Sequence, residues 1–188
     1  MRYAFSLSVL VVAVIIAQLA FVPAFLPPVL RPDLGILVGI TILAFGPREF
    51  GLISIFCLGV QADLFGSAHF GVLTLAYLAA AGVILLVAWR ELVRGDVLAP
   101  WIGGLAGTLL AHGFYVLFAK FFGLQFVWGQ IVTSLTALAL SAAVWGLPIA
   151  YLTGRWLAWT HCLSPAVRER WATDARLNAA RRGKLKRA

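Results

Sequence analysis

The amino-acid sequence predicts an all-α integral membrane protein: a six-helix bundle with short second and third helices and both termini cytoplasmic. Three observations predict it. Hydrophobic residues make up 62% of the 188 residues and charged residues only 12%, against roughly 45–50% and about 25% in soluble chains. A chain this small cannot bury that much apolar surface within itself, so lipid must cover the rest. The apolar residues also fall in long unbroken runs, without the period-2 alternation of a membrane barrel. The charge, finally, is lopsided. Residues 164–188 hold eight Lys/Arg against two acids, whereas the preceding 163 residues hold seven against five. These features exclude a secreted disulfide scaffold, a disordered chain and a cytosolic enzyme. They divide the chain into a transmembrane domain, 1–163, and a basic cytoplasmic tail, 164–188.

The first helix covers about residues 3–26 and stops at Pro27-Pro28. Its apolar run is too long for the h-region of a signal peptide, and no clear small-x-small cleavage site closes it, so it reads as an uncleaved span. The stretch 34–64 is apolar except for Gly46-Pro47-Arg48-Glu49 at its middle and Asp63 near its end. As one helix it would place a helix-breaking proline and two charges in hydrocarbon, each charge costing about 2.5–3.5 kcal/mol or more. Two helices of about 13–15 residues, roughly 20 Å each, with the charged turn in water avoid that cost. The fourth helix covers about 69–89, the fifth 98–122 and the sixth 127–159, with Trp128 at one end and Tyr151, Trp156 and Trp159 at the other as interfacial belts. The hairpin at 46–49 puts Arg2, Arg48, Arg90, Arg94, Arg155 and the tail on one side. Only Arg31 and Lys120 fall on the other, in agreement with the positive-inside rule.

The tail opens with Ser164-Pro165, an N-cap followed by proline at the first helical position. Val167, Trp171 and Ala175 share one face, which predicts a short surface helix followed by a frayed basic end. Arg168, Arg170, Arg181, Arg182, Lys184, Lys186 and Arg187 are the lipid-contact candidates, each contributing roughly 1 kcal/mol near anionic lipid. A cytoplasmic protein partner is the alternative. No aromatic-and-basic platform accompanies the charges, which argues against nucleic acid.

Few residues break the apolar rule. Asp63 is the acid inside an apolar run, and an intramembrane carboxylate asks for a named partner. In the six-helix arrangement it lies at the outer end of the third helix, close to Arg31 and Asp33, so Arg31 is the expected ion partner. The bland reading is a structural pair or a turn cap; the sharper one is a polar site opening outward. Gly35 and Gly39 on the second helix, Gly51, Ser54, Gly59 and Ala62 on the third, and Gly103, Gly107 and Ala111 on the fifth stand at spacings that let helix backbones approach in lipid. They serve either packing within the chain or docking of another protein's helix. Gly66 and Gly71 frame the tight link between the third and fourth helices, which lacks the Lys-Ser/Thr of a phosphate loop. His69, His112 and His161 have no metal-ligand spacing, Cys57 and Cys162 form no framework, and no cofactor is expected. Asp33 and Asp63 as an aspartyl-protease pair is the weaker reading, because Asp33 sits in a proline turn.

Taken in order, these features resemble the MreD family, the small membrane subunit of the bacterial rod-shape machinery, or elongasome. The residues that carry the resemblance are Arg31-Pro32-Asp33-Leu34, the glycine-spaced helix from Gly51 to Gly59, Gln61-Ala62-Asp63-Leu64-Phe65-Gly66, and Phe70-Gly71-Val72-Leu73-Thr74-Leu75-Ala76-Tyr77-Leu78. They cover about residues 30–85. The tail is longer and more basic than the family leads one to expect. The resemblance implies a non-enzymatic scaffold in the bacterial inner membrane. It would dock MreC, a single-span protein with a periplasmic domain, and act with RodA, penicillin-binding protein 2 and the MreB filament in peptidoglycan synthesis. The family is also similar to the six-helix substrate-binding subunits of energy-coupling-factor transporters, which implies an outward cavity near Asp63 and the alternative function of a small-solute binding subunit.

Overall fold

The computed structural model describes residues 2–27, 30–65, 70–87, 98–124 and 128–173. Among these the chain is all-helical. Helix α1 (Arg2–Ile16) widens into a π-helical turn at Ala17–Phe21 and continues as the short α2 (Val22–Phe25). Then follow α3 (Leu34–Phe45), α4 (Arg48–Phe65), α5 (Val72–Val87), α6 (Leu98–Phe121), α7 (Trp128–Trp159) and α8 (165–173). By length and composition, three helices are apolar enough to cross a membrane: Ala4–Phe25, Leu98–Phe121 and Trp128–Trp159. Leu34–Phe45 and Val72–Val87 are apolar but shorter.

The chain does break at Gly46-Pro47, as the cost of a mid-helix proline and two charges requires. The two helices flanking that break are unequal, however. The expectation of 13 to 15 residues each gives way to 12 in α3 and 18 in α4. The extra length lies mainly at the charged turn: Arg48 and Glu49, expected in the link, form the first turn of α4, and Phe65 extends its far end.

Helix α3 is the axis of the assembly. Every residue from Gly35 to Phe45 is buried, so it is apolar all round, as a helix without a solvent or lipid face must be. It packs against α4, α6, α7 and α1, and α5 completes the wall between α4 and α6. Close approach depends on glycine at two places. A Cβ on Gly51 would lie 2.5 Å from Leu43 Cα, and one on Gly59 would lie 2.8 Å from Thr74 Cα. The helix backbones touch there, α4 on α3 and α4 on α5. Gly39 likewise receives the side chain of Ile55. These glycines are in contact inside the chain, as the packing reading expected of them, and not on a face open to another protein.

Twelve residues make a rod about 18 Å long, surrounded by helices that extend beyond it. Both of its ends are therefore recessed, and the chain treats them differently. At the C-terminal end, the segment after α7 turns in and covers it. His161 takes the left-handed conformation (φ 57°). Cys162 N–H then donates to Leu157 O (2.8 Å) and His161 N–H to Ala158 O (3.1 Å), the Schellman pattern that closes a helix. Ser164 N–H donates to Phe45 O (2.8 Å), satisfying a carbonyl at the end of α3. Val167 is fully buried, and the Trp171 ring meets Phe45 edge-on at 5.8 Å. Of the expected apolar face of the tail helix, Val167 and Trp171 lie on the chain's own bundle, where the sequence reading favoured lipid, and Ala175 lies outside the described residues. Arg168 donates to the carbonyls of His161 (3.2 Å) and Leu163 (3.5 Å). Arg181, Arg182, Lys184, Lys186 and Arg187 lie outside the described residues.

Candidate functional site

The opposite end of α3 is open. Its first turn needs acceptors for the N–H groups that no preceding turn can satisfy. Asp33 stands at the N-cap, and its Oδ1 accepts from Ile36 N–H at 3.3 Å. The second acceptor comes from another helix: Gln18 Oε1 accepts from Leu34 N–H at 3.0 Å. Gln18 sits in the π-helical turn. Pro23, just beyond it, has no N–H for the carbonyl of Leu19, and Val22 N–H bonds to Ala17 O five residues back. Proline thus accounts for the local widening, and the widening carries the glutamine that starts α3.

Helix α5 is started in the same way from outside. Gly71 is its N-cap residue: its carbonyl accepts the first helical bond from Leu75 N–H at 3.0 Å. Its φ of 94° and lack of a side chain leave the next amides without the usual capping oxygen. Asp63 of α4 supplies it. One carboxylate oxygen accepts from Leu73 N–H at 2.8 Å, and the other from Thr74 N–H at 2.9 Å and from the Thr74 hydroxyl. Asp63 is 4% exposed, yet both oxygens are satisfied. The expected Arg31–Asp63 ion pair is thereby corrected: Asp63 gives its oxygens to α5, and Arg31 donates to the carbonyls of Leu26 (3.0 Å) and Pro23 (3.3 Å). Asp33, the third member of the expected cluster, accepts from the Tyr77 hydroxyl of α5 through Oδ2. Gly35 leaves room for that ring, 3.3 Å from where its Cβ would be. Gly71 serves its backbone conformation and not packing, since no atom lies within 4 Å of a Cβ built there.

These polar groups line a cavity of about 340 Å³ bounded by Gln18, Arg31, Asp33, Gln61, Tyr77 and His112. Its size falls in the range of small-molecule sites. Sequence reasoning brought Arg31, Asp33 and Gln61 to this end of the molecule but missed Gln18, Tyr77 and His112. Gln18 had a legible signal, one amide in a helix otherwise almost free of polar side chains. Gly66 and His69 lie outside the described residues. His112 Nδ1 faces the Thr108 carbonyl of its own helix at 2.9 Å. A second cavity, about 490 Å³, lies between α6 and α7 and shares His112 and Leu138 with the first. Among the described residues, no three His, Cys, Asp or Glu side chains come together to hold a metal ion.

No protein-family model matches the chain, and no curated protein or solved structure matches it either.

Proposed function

We propose that the chain is a non-enzymatic scaffold subunit of the bacterial cell-elongation complex, a multi-pass protein of the inner membrane with both termini cytoplasmic, which docks MreC and helps position the peptidoglycan synthase formed by RodA and penicillin-binding protein 2. The observation that carries the reading is the use made of the two acids in the MreD-like stretch. Asp33 starts α3 and Asp63 starts α5. The oxygens of both acids are engaged by amides and hydroxyls that build the fold. The stretch that resembles the family is therefore one structural unit, α3–α4–α5, held by caps and by glycine contacts. The orientation draws support from charge. Ser6, Gly46, Pro47, Leu157 and Cys162 gather at one end, next to Arg48 and to α8, which carries Arg168 and Arg170, whereas Arg31 lies at the other. With Gly39, Gly51 and Gly59 occupied within the chain, MreC would dock on outer helix faces such as that of α4, where Ile53 and Phe56 are exposed.

One observation favours a second reading, the small-solute binding subunit of an energy-coupling-factor-type transporter. The open end of the bundle holds a cavity of ligand size with converging polar side chains. Purification of the tagged chain from its native membrane separates the two. Co-purification of a single-span protein with a periplasmic domain supports the scaffold. Recovery of an ATPase pair with a coupling subunit, without such a protein, overturns it in favour of the transporter.

A further inference from the structure

We propose that the open end of the bundle binds a zwitterionic phospholipid, with its headgroup in the polar cavity and an acyl chain in the groove between α6 and α7. The inference stands apart from the scaffold reading and survives even if no MreC-like partner is recovered.

The charges of the cavity set the class of headgroup. Its walls carry one guanidinium, Arg31, and one carboxylate, Asp33, and the two do not neutralise each other. Arg31 uses Nε and Nη2 on backbone carbonyls, and Asp33 accepts from an amide and a phenol. A ligand that carries a phosphate and an ammonium meets both charges; a purely anionic headgroup would meet the carboxylate unfavourably. Gln61 gives the independent sign that something polar belongs there. Its side chain is only 7% exposed, it lines the cavity, and it makes no hydrogen bond among the described residues. Its amide opens onto the cavity, where a headgroup phosphate would accept from its NH2.

The adjoining groove sets the rest of the molecule. It meets the polar cavity at His112 and Leu138 and continues past Val116, Ile131 and Leu135. Its polar wall residues are largely self-satisfied: the hydroxyls of Thr133 and Ser134 donate to the carbonyls of Gly129 and Gln130 at 2.6–3.1 Å. Such a surface accepts hydrocarbon without leaving hydroxyls unpaired. At about 490 Å³ the groove has the volume for a long stretch of acyl chain, and its opening onto exposed residues of α7 places that chain at the lipid-facing side of the bundle.

Native mass spectrometry of the full-length, delipidated protein tests this, with phosphatidylethanolamine, phosphatidylglycerol and free glycerophosphoethanolamine as the three probes. The expected result is retention of phosphatidylethanolamine at least about fivefold above phosphatidylglycerol, with no retention of the free headgroup. Asp33→Asn keeps an acceptor for Ile36 N–H but removes the charge, and it should abolish the preference. Gln61→Leu, which removes no contact of the fold, should weaken binding about tenfold, the usual weight of a hydrogen bond to a charged group. Leu138→Trp should block the junction of the two cavities and do the same. Equal retention of the two lipids by the unaltered protein, or retention unchanged in Gln61→Leu, would reduce the site to annular lipid and overturn the proposal. Binding of free glycerophosphoethanolamine as strong as that of the lipid would overturn it in favour of a soluble zwitterion.

Discussion

The two ends of α3 solve one problem in opposite ways. A short helix buried inside longer ones leaves a recess at each end, and each recess exposes helix-terminal backbone groups that need partners. At the C-terminal end the chain fills the recess with its own residues. Cys162, Leu163 and Val167 are buried, Trp171 closes on Phe45, and the remaining void is about 10 Å³, no larger than a water molecule. At the N-terminal end, side-chain oxygens from Gln18 and Asp33 satisfy the backbone while the space itself stays open, about 340 Å³. Filling and capping both satisfy the backbone, but only capping leaves room for a ligand. The difference marks which end the chain closes with its own residues and which end it leaves open.

The contrast can be broken most severely where the helices that frame it touch. Gly51→Leu drives a side chain into the Leu43 backbone and should cost about 3 kcal/mol or more, seen as loss of the folded protein in detergent. Asp63→Ala comes next. It strips α5 of the oxygens that stand in for a side chain on Gly71 and leaves buried amides unpaired. The expected loss is about 2–3 kcal/mol, against about 1–2 kcal/mol for Asp33→Ala, a less buried acid that gives up one longer cap bond and the acceptor of the Tyr77 hydroxyl. Equal melting temperatures for the two variants would undo the ranking. Trp171→Ala opens the filled end and should cost about 1–2 kcal/mol while leaving ligand binding at the other end unchanged, so it tests whether the ends are independent. The smallest effect, of opposite sign, is His161→Gly. Relief of a left-handed residue at an exposed turn should stabilise the filled end by about 0.5–1 kcal/mol, read as a rise in melting temperature.

Much of this fold is legible in the residues because the costs involved are large. A proline and two charges cannot sit in hydrocarbon, and so the break at Gly46-Pro47 follows from Gly46-Pro47-Arg48-Glu49 alone. The apolar face of Val167 and Trp171 is equally plain from spacing, although spacing does not say what covers it. The candidate site is less legible because its logic is that of the backbone. Charge suggests Arg31 as the partner of Asp63. The amides of Leu73 and Thr74 win because Gly71 leaves them without a cap, and orphan amides leave no mark in a sequence. Tyr77 and His112 are polar residues on largely apolar helices, indistinguishable by spacing from packing residues until α4, α5 and α6 are brought together. Helix length misleads at the other end of α4: Arg48 and Glu49 read as a link, yet they are exposed and form the first turn of the helix, where an acid is favourable.

The arrangement is tested most directly by asking from which side of the membrane each end is reached. In a background with Cys57 and Cys162 replaced by alanine, Ala62→Cys places a thiol on the wall of the open cavity and Glu49→Cys places one beside the Gly46-Pro47 break. With a membrane-impermeant maleimide applied to intact spheroplasts, Ala62→Cys should be labelled and Glu49→Cys should react only after the membrane is opened. Labelling of Glu49→Cys from outside, or the same accessibility for both positions, would contradict a bundle with one filled cytoplasmic end and one open outer end.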